Sequence, residues 1–558
     1  MLKSFSFENY KAFKEGEIEI KPITILLGPN SVGKSSILQF IMMIAQTIRG
    51  MGYKSPYFNM FSKEKSTLKL NGEYVRLGEN KNIFFSGNTK ESIKLCFDVD
   101  YKKGELLFSK FMDKPFGEIL DEILFFLYKL SEIVFKNGDD LIDGKSVIEK
   151  KIPSDLSYKL SRIEELQNKI NLHLKNNINE SILEFINKSD KINLFKKNKL
   201  TIDIQSYRNA VSILKEKEKS FSDGFKISFT ISLDSKNNLK LTGIEIGSKR
   251  ESFIRYLHPI IGRCSLKIFS LNKKISRKIV QDIKDNLDSN NLLIFKKDLF
   301  SNLNKKNINN NSEIDVFADV VVDIISSFSS DFSELFFDNI NYVSPLRAFP
   351  QRYYFIDQVA WSSFLNTIDG NKLTNILKEN KKIKKNVNKW LSRFDLKVTV
   401  DKLETFVHRI KIHQNRLEFD LVDVGFGLSQ VLPVIVQGFL TEEGSLTLIE
   451  QPEIHLHPRM QAELGDLFID IAKSGKGKKR MIIETHSEYL LKRIRRRIAE
   501  GVISANDVAI YFIHPPEGNS DGAKIEKVLI SKTGAFEWPR DFYCNDLEDT
   551  IEFLKYQK

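Results

Sequence analysis

The segment ITILLGPNSVGKSSILQF at residues 23–40 decides the fold. Residues 23–27 are apolar or β-branched and are typical of a buried strand, while the apolar spacing after residue 34 is that of a helix. Between them, residues 28–35 fit the pattern G-x-x-x-x-G-K-[ST], in which glycines let the backbone curl around phosphate oxygens. The segment therefore predicts a strand, a phosphate-binding loop and a helix, as in an α/β fold.

The residue types of this loop indicate that it binds a nucleoside triphosphate and a metal ion. We expect Lys34 to bridge the β- and γ-phosphates of ATP, and the Ser35 hydroxyl to bind Mg²⁺. The alternative, a fortuitous glycine turn, would not account for the strand and helix on either side. The residues expected to hold the nucleotide are Gly28, Asn30, Ser31, Val32, Gly33, Lys34, Ser35 and Ser36.

A second informative segment is SLTLIEQPE at residues 445–453, an apolar strand that ends in acid. A buried strand ending in a carboxylate beside the phosphate loop can hold the hydration shell of Mg²⁺. We assign this Walker B role to Glu450, with Ser35 as the other metal-binding residue. His455 and His457 follow it, but no third ligand stands nearby at metal spacing, which favours structural loop histidines.

Two more segments complete the predicted site. Residues 423–430, DVGFGLSQ, lead into an apolar helix, so Gly427 and Ser429 can form a second phosphate-binding cap. Residues 481–487, MIIETHS, form another strand, and its terminal His486 can hydrogen-bond a γ-phosphate or an attacking water. Taken alone, such a histidine is more often structural.

The order of these four segments resembles the ABC-type ATPase heads of SMC, RecF and OLD proteins. The resemblance implies an α/β fold, a P-loop ABC-type ATPase head with a β-hairpin subdomain and an inserted helical region. Residues 1–110 and 341–558 would form the two halves of the head, and residues 111–340 the helical and β-hairpin insertion. It also implies ATP and Mg²⁺ as cofactors and a homodimer or higher homo-oligomer, in which Ser429 of one copy faces the P-loop of the other.

One position departs from the relatives' pattern. Relatives usually carry Glu after the Mg-binding acid as the general base, whereas this chain has Gln451, whose amide can orient water but cannot accept its proton. Either Glu453 with His486 supplies the catalytic group, or hydrolysis is slow and ATP binding sets the state of a switch or clamp. We favour slow turnover. The catalytic candidates are Glu450, Gln451, Glu453 and His486.

Two further segments resemble a subgroup of bacterial predicted ATPases. They are YVSPLRAFP at residues 342–350 and GAFEWPRDF at residues 534–542. Relatives of that kind occur in Septu- and PARIS-like phage-defence systems, where the ATPase partners a separate effector, such as a nuclease or toxin. The alternatives are the motor subunit of an ABC transporter and an SMC- or RecF-like DNA maintenance ATPase. Arg347 is either a structural residue or a contact to a second copy, and the sequence does not decide between them.

Composition and charge limit which binding partners and which cellular compartment the sequence predicts. The 558 residues are 41% hydrophobic and 28% charged, as in globular proteins, and the net charge is +12. Lys and Arg concentrate at 381–385, 473–480 and 492–497, which either attract nucleic acid or decorate solvated faces. Scattered cysteines, the absence of a signal-peptide pattern and short apolar runs predict a cytoplasmic protein without a membrane partner. We expect no nuclease activity, because the residues after His486 lack a spaced acidic cluster for two metals.

Overall fold

The computed structural model of the chain forms sheets of seven, six, four and two strands within the residues that it describes. The described residues are 1–50, 66–100, 117–134, 156–174, 195–196, 199–200, 205, 208, 224–248, 252–258, 265–268, 292, 328, 332–337, 339–355, 370–475, 478–518, 521–538 and 546–556.

The strands and helices are numbered in chain order. The strands are β1 Leu2–Tyr10, β2 Phe13–Glu19, β3 Ile23–Leu27, β4 Ile93–Val99, β5 Phe195–Lys196, β6 Lys199–Leu200, β7 Phe225–Leu233, β8 Leu239–Gly247, β9 Ser252–Leu257, β10 Ser265–Ile268, β11 Ile340–Val343, β12 Tyr354–Phe355, β13 Leu396–Lys402, β14 Val407–Gln414, β15 Leu417–Asp420, β16 Leu446–Glu450, β17 Arg480–Glu484, β18 Val508–His514 and β19 Lys524–Val528. The helices are α1 Lys34–Gly50, α2 Gly117–Val134, α3 Leu156–Leu174, α4 Gly370–Glu379, α5 Lys381–Leu391, α6 Phe426–Leu440, α7 Pro458–Ser474, α8 Glu488–Ala499 and α9 Asp546–Tyr556.

A mainly parallel sheet carries the segments that the sequence singles out. Its order is β11-β16-β17-β3-β18-β19, with only β19 antiparallel to its neighbour. Ile23, Ile25 and Leu27 of β3 belong to one hydrophobic core, and Leu26 belongs to the other. Because both faces are covered, all five residues of the strand are buried and four of them are apolar. The carboxyl ends of β3, β16 and β17 meet at one edge, which is where such sheets bind ligands.

An antiparallel sheet covers α1. Its order is β10-β9-β8-β7-β4-β1-β2, and Phe40 of α1 stacks on Phe5 and Phe97 with ring centroids 5.3 and 5.6 Å apart. This aromatic packing fixes the helix that begins at the end of the phosphate-binding loop. Strand β7 pairs with β4, so the strands β7 to β10 extend the sheet that β1, β2 and β4 form. The division of the chain at residues 110 and 340 remains a prediction.

A smaller sheet lies beside α4 and α5. Its order is β12-β14-β13, and β15 pairs with β14. Trp390 of α5 is buried together with Val398 and Ile410 of this sheet, which agrees with the alternating apolar pattern at residues 396–422. The chain passes from β15 through a short turn directly into α6.

The C-terminal segment docks on α8. The Arg495 guanidinium lies over the rings of Phe536 and Trp538, 4.7 and 5.3 Å from their centroids, and its Nε donates to the carbonyl of Gly534 at 2.9 Å. No helix within the described residues combines the length and apolar character that crossing a membrane requires.

Candidate functional site

The phosphate-binding loop depends on its two glycines. Gly28 and Gly33 have φ angles of 141° and 108°, which L side chains rarely adopt. A Cβ at Gly28 would lie 2.5 Å from the Ile513 carbonyl oxygen, and one at Gly33 would lie 2.9 Å from the Phe13 ring. The loop is therefore wedged between β18 and the turn after β1, where a side chain at either glycine would not fit.

Lys34 lies at the first turn of α1, with its side chain bent back over the loop. Only 4% of Lys34 is exposed, and its Nζ donates to the carbonyls of Gly28 at 2.9 Å and Pro29 at 2.6 Å. Burial lowers the pKa of Lys34, and the charges of Glu484 and Glu453 oppose that shift. Of the remaining predicted loop residues, Asn30 and Ser31 are exposed, Ser35 and Ser36 are half-buried and Val32 is buried.

Two carboxylates stand side by side at the edge of the sheet. Glu450 ends β16 and Glu484 ends β17, and they are register partners in the parallel pair. The Ser35 hydroxyl donates to Glu484, 2.9 Å from Oε2 and 3.1 Å from Oε1, whereas Glu450 Oε1 accepts from the Tyr342 hydroxyl at 3.1 Å. Sequence reasoning missed Glu484, although its place at the end of a strand before His486 was visible.

The electrostatics of this pair favour a cation. Burial, and then the charge of Glu484, raises the pKa of Glu450 from 4.5 to about 7. Burial also raises the pKa of Glu484, against the opposing effects of Ser35 and Lys34. Hard oxygens are the ligands that Mg²⁺ prefers, so these side chains fit that ion. In the described part of the chain no group of three or more His, Cys, Asp or Glu side chains is arranged to hold a metal. Phosphate and water oxygens would complete the shell of Mg²⁺.

Gln451 adopts a constrained backbone conformation. Its φ is 43°, in the left-handed region, and its N–H donates to the carbonyl of Glu484 at 2.8 Å. Arg347 Nη2 donates to the carbonyls of Glu450 at 3.0 Å and Gln451 at 3.3 Å. Arg347 is only 4% exposed, and its burial lowers its pKa to about 10. Arg347 therefore holds the turn after β16 within its own chain.

Glu453 and His486 connect the turns that follow β16 and β17. Glu453 Oε1 accepts the backbone N–H of His486 at 2.7 Å, and burial raises the pKa of Glu453. The His486 side chain is exposed, and partial desolvation followed by the charge of Lys34 lowers its pKa. The structure therefore brings Glu450, Gln451, Glu453 and His486 to the same edge of the sheet as Lys34.

The glycine turn at residues 425–427 packs on the loop after β16. A Cβ at Gly427 would lie 2.6 Å from the carbonyl oxygen of His455, whereas one at the exposed Gly425 would meet nothing within 4 Å. Ser429 is only 3% exposed, so its hydroxyl lies in the interior of α6 packing. Gly425 is exposed and Gly427 is half-buried, so an outside molecule can reach this turn at Gly425. His457 Nδ1 accepts the N–H of Arg459 at 3.3 Å, which agrees with a structural histidine at the start of α7.

A glycine loop between a buried strand and a helix, beside acid-ended parallel strands, defines the class of P-loop nucleotide-binding proteins. The family of the AAA ATPase domain matches residues 1–491, and the chain belongs to this family. The match confirms the predicted ATPase class and the α/β fold. None of the curated proteins matches the chain.

Solved structures of SMC heads are similar to the chain at low sequence identity. The SMC head domain from Thermotoga maritima is 7% identical with a TM-score of 0.29, over 94% of this chain and 98% of the other. The Smc head from Pyrococcus furiosus with an extended coiled coil, bound to the C-terminal domain of ScpA, is 11% identical with a TM-score of 0.30. That match covers 100% of this chain and 98% of the other.

Proposed function

We propose that the chain is a slowly hydrolysing ATP switch or clamp, in which two copies close around ATP and Mg²⁺. The observation that carries this proposal is Gln451, an amide at the turn that follows the acid-ended strand beside the P-loop. Membership of the AAA ATPase family supports ATP hydrolysis as such, and Gln451 is the reason to expect that it is slow.

Different residues of the site would bind the phosphates and the metal ion. The loop amides and Lys34 bind the phosphates, while Ser35 and the neighbouring carboxylates hold Mg²⁺. Mg²⁺ supplies positive charge against the phosphate oxygens. Gln451 can orient a water molecule but cannot take its proton. Glu453 already accepts the backbone N–H of His486, which supports a structural role over that of a replacement base.

Substitution of Gln451 tests the slow turnover. In Gln451→Glu a carboxylate stands at the position of the amide, so we expect steady-state ATP hydrolysis to rise at least about tenfold. ATP affinity should stay within about threefold, because the phosphate-binding groups are unchanged. Lys34→Ala is the control that should lose ATP binding. The proposal would be contradicted if the wild type hydrolysed ATP at about 10 s⁻¹, a typical rate for enzymes, and Gln451→Glu lost this activity.

We also propose that the ATP-bound state regulates a separate effector, a nuclease or toxin, in anti-phage defence, and that this chain itself has no nuclease activity. Support comes from the resemblance of residues 342–350 and 534–542 to ATPases of such systems. A nuclease or toxin gene beside the gene of this protein would support the role, and a membrane permease gene would favour transport instead. A metal-dependent nuclease activity of the purified chain would contradict it.

The lysines of α5 support nucleic acid as a further partner. Lys381, Lys382, Lys385 and Lys389 are exposed, and none forms an ion pair with another described residue. By contrast, Arg493 and Arg497 of α8 pair with Asp466, and Arg496 pairs with Glu500. We therefore place the proposed contact with a phosphate backbone on α5 and not on residues 492–497.

A further inference from the structure

We propose that Glu484 is the carboxylate that binds the divalent cation directly, together with the hydroxyl of Ser35. This assignment rests on the proposed ATP site and deepens it, since the sequence pattern gives the metal to Glu450. Glu450 would then stand one strand further from the ion and act through its charge.

The spacing of the oxygens carries the assignment. The Ser35 Oγ lies 2.9 Å from Glu484 Oε2 and 3.1 Å from Oε1. Two oxygens that bind Mg²⁺ at about 2.0–2.1 Å on adjacent octahedral positions lie roughly 2.9 Å from each other. The hydroxyl and the carboxylate are thus already spaced as neighbouring ligands. A cation can bind both oxygens through their lone pairs when the Ser35 hydroxyl turns its proton away from Glu484, with α1 and β17 in their present places.

The sheet order explains why Glu484 occupies this position. Strand β17 lies between β16 and β3, and Glu484 pairs with Leu26, two residues before Gly28. Glu450 is the partner of Glu484 on the far side, about 4.8 Å further across the sheet. The main chain of Glu484 is also fixed, since its carbonyl accepts the N–H of Gln451 at 2.8 Å.

The charges at this edge give an independent reason to expect a cation. Glu450 and Glu484 are buried next to each other, and in the described part of the chain neither has a Lys or Arg within ion-pair distance. Two buried neighbouring carboxylates are costly unless a positive charge compensates them. Tyr342 already donates to Glu450, whereas the contact of Glu484 is a serine hydroxyl that can itself bind a metal.

The experiment compares Glu484→Gln with Glu450→Gln in the full-length chain. Binding of ATP is measured against free Mg²⁺ concentration, and again in EDTA. Glu484→Gln keeps a hydrogen-bonding group beside Ser35 but removes the charge, so we expect the Mg²⁺ concentration at half-saturation to rise at least about tenfold. The rise for Glu450→Gln should be smaller, and ATP binding in EDTA should stay within about threefold of wild type in Glu484→Gln.

A spectroscopic measurement keeps the test independent of hydrolysis. Mn²⁺ bound with ATP to protein containing carboxylate-¹³C glutamate should show a strong electron–nuclear coupling, which Glu484→Gln removes and Glu450→Gln retains. If Glu484→Gln melts much below wild type, Glu484→Asp provides the second variant, and it should also lose the coupling, because the aspartate that replaces Glu484 does not carry the ¹³C label. Retention of the coupling in Glu484→Gln, or its loss in Glu450→Gln alone, overturns the assignment. A wild-type chain that does not bind ATP with Mg²⁺ overturns the proposed function instead.

Discussion

At the scale of single residues, the burial of Glu450 makes the stability of the fold depend on pH. Its pKa is raised from 4.5 to about 7 by desolvation and by the charge of Glu484. The unfolded chain loses this proton near pH 4.5, so above that pH the folded state holds a proton that the unfolded state has released. The contribution of Glu450 to stability is therefore complete below pH 4.5 and is lost as the pH rises to about 7.

This titration predicts a pH-dependent difference between wild type and Glu450→Gln. Between pH 4.5 and pH 8 the wild type should lose about 2–3 kcal/mol of unfolding free energy that the variant does not lose, because one pKa unit corresponds to about 1.4 kcal/mol. Urea unfolding of both proteins in EDTA at the two pH values measures this change in unfolding free energy. Glu15→Gln, at an exposed position, is the matched control that should follow wild type. Parallel pH curves for wild type and Glu450→Gln would show that Glu450 ionises normally.

Some site residues were predictable because their signal is local. The P-loop requires a strand, two glycines and a helix within one short segment, and the structure has all of them. Glu484 was not predictable as a site residue, because its contact with Ser35 depends on β17 entering the sheet between β16 and β3. The burial of Ser429 likewise depends on how α6 packs against distant elements.

At the scale of elements, α5 and α8 show that similar basic runs can have different surroundings. Several α8 charges meet acids on α7 and at the end of α8: Asp466 accepts from Arg493 and Arg497, and Glu500, the residue that follows α8, accepts from Arg496. The Lys381, Lys385 and Lys389 side chains follow one ridge of α5, because residues four apart lie above one another on a helix. Composition alone could not separate these two runs.

We predict that the lysine ridge of α5 contributes to nucleic-acid binding. Replacement of Lys381, Lys385 and Lys389 by Gln should weaken binding to duplex DNA about tenfold or more at 50 mM salt and reduce the slope of log affinity against log salt by up to about 3. Arg496→Gln on α8 is the control, and its slope should stay near that of wild type, because Glu500 already pairs with this side chain. An equal loss of DNA affinity in the triple lysine variant and in Arg496→Gln would show that α5 is not the contact surface. Unchanged DNA binding, with loss of binding to anionic vesicles or to an acidic protein, would assign the ridge to another partner.

At the scale of the whole molecule, the P-loop and the glycine turn that we propose as a second phosphate contact differ in accessibility. The P-loop is wedged between β18 and the turn after β1, while the turn at Gly425 has open space around it. In the dimer that we propose, the exposed turn of one copy lies on the nucleotide of the other. Gly425 is then the residue at which a charge could block the partner's site without disturbing its own fold.

Mixing two inactive variants tests this arrangement. Lys34→Ala removes the phosphate contact, and Gly425→Glu adds a negative charge against the partner's phosphates, so each protein alone should neither hydrolyse ATP nor dimerise with it. In an equal mixture, every dimer that forms with ATP combines one chain of each kind, because neither variant dimerises with itself, and each such dimer has one intact P-loop facing one intact turn. Since one of its two sites works, hydrolysis should return to at most about half of the wild-type rate. If each chain used its own turn, no chain in the mixture would have both parts intact, and the mixture would stay inactive. Melting temperatures close to wild type for both variants are the necessary control, because a misfolded chain would also fail to complement.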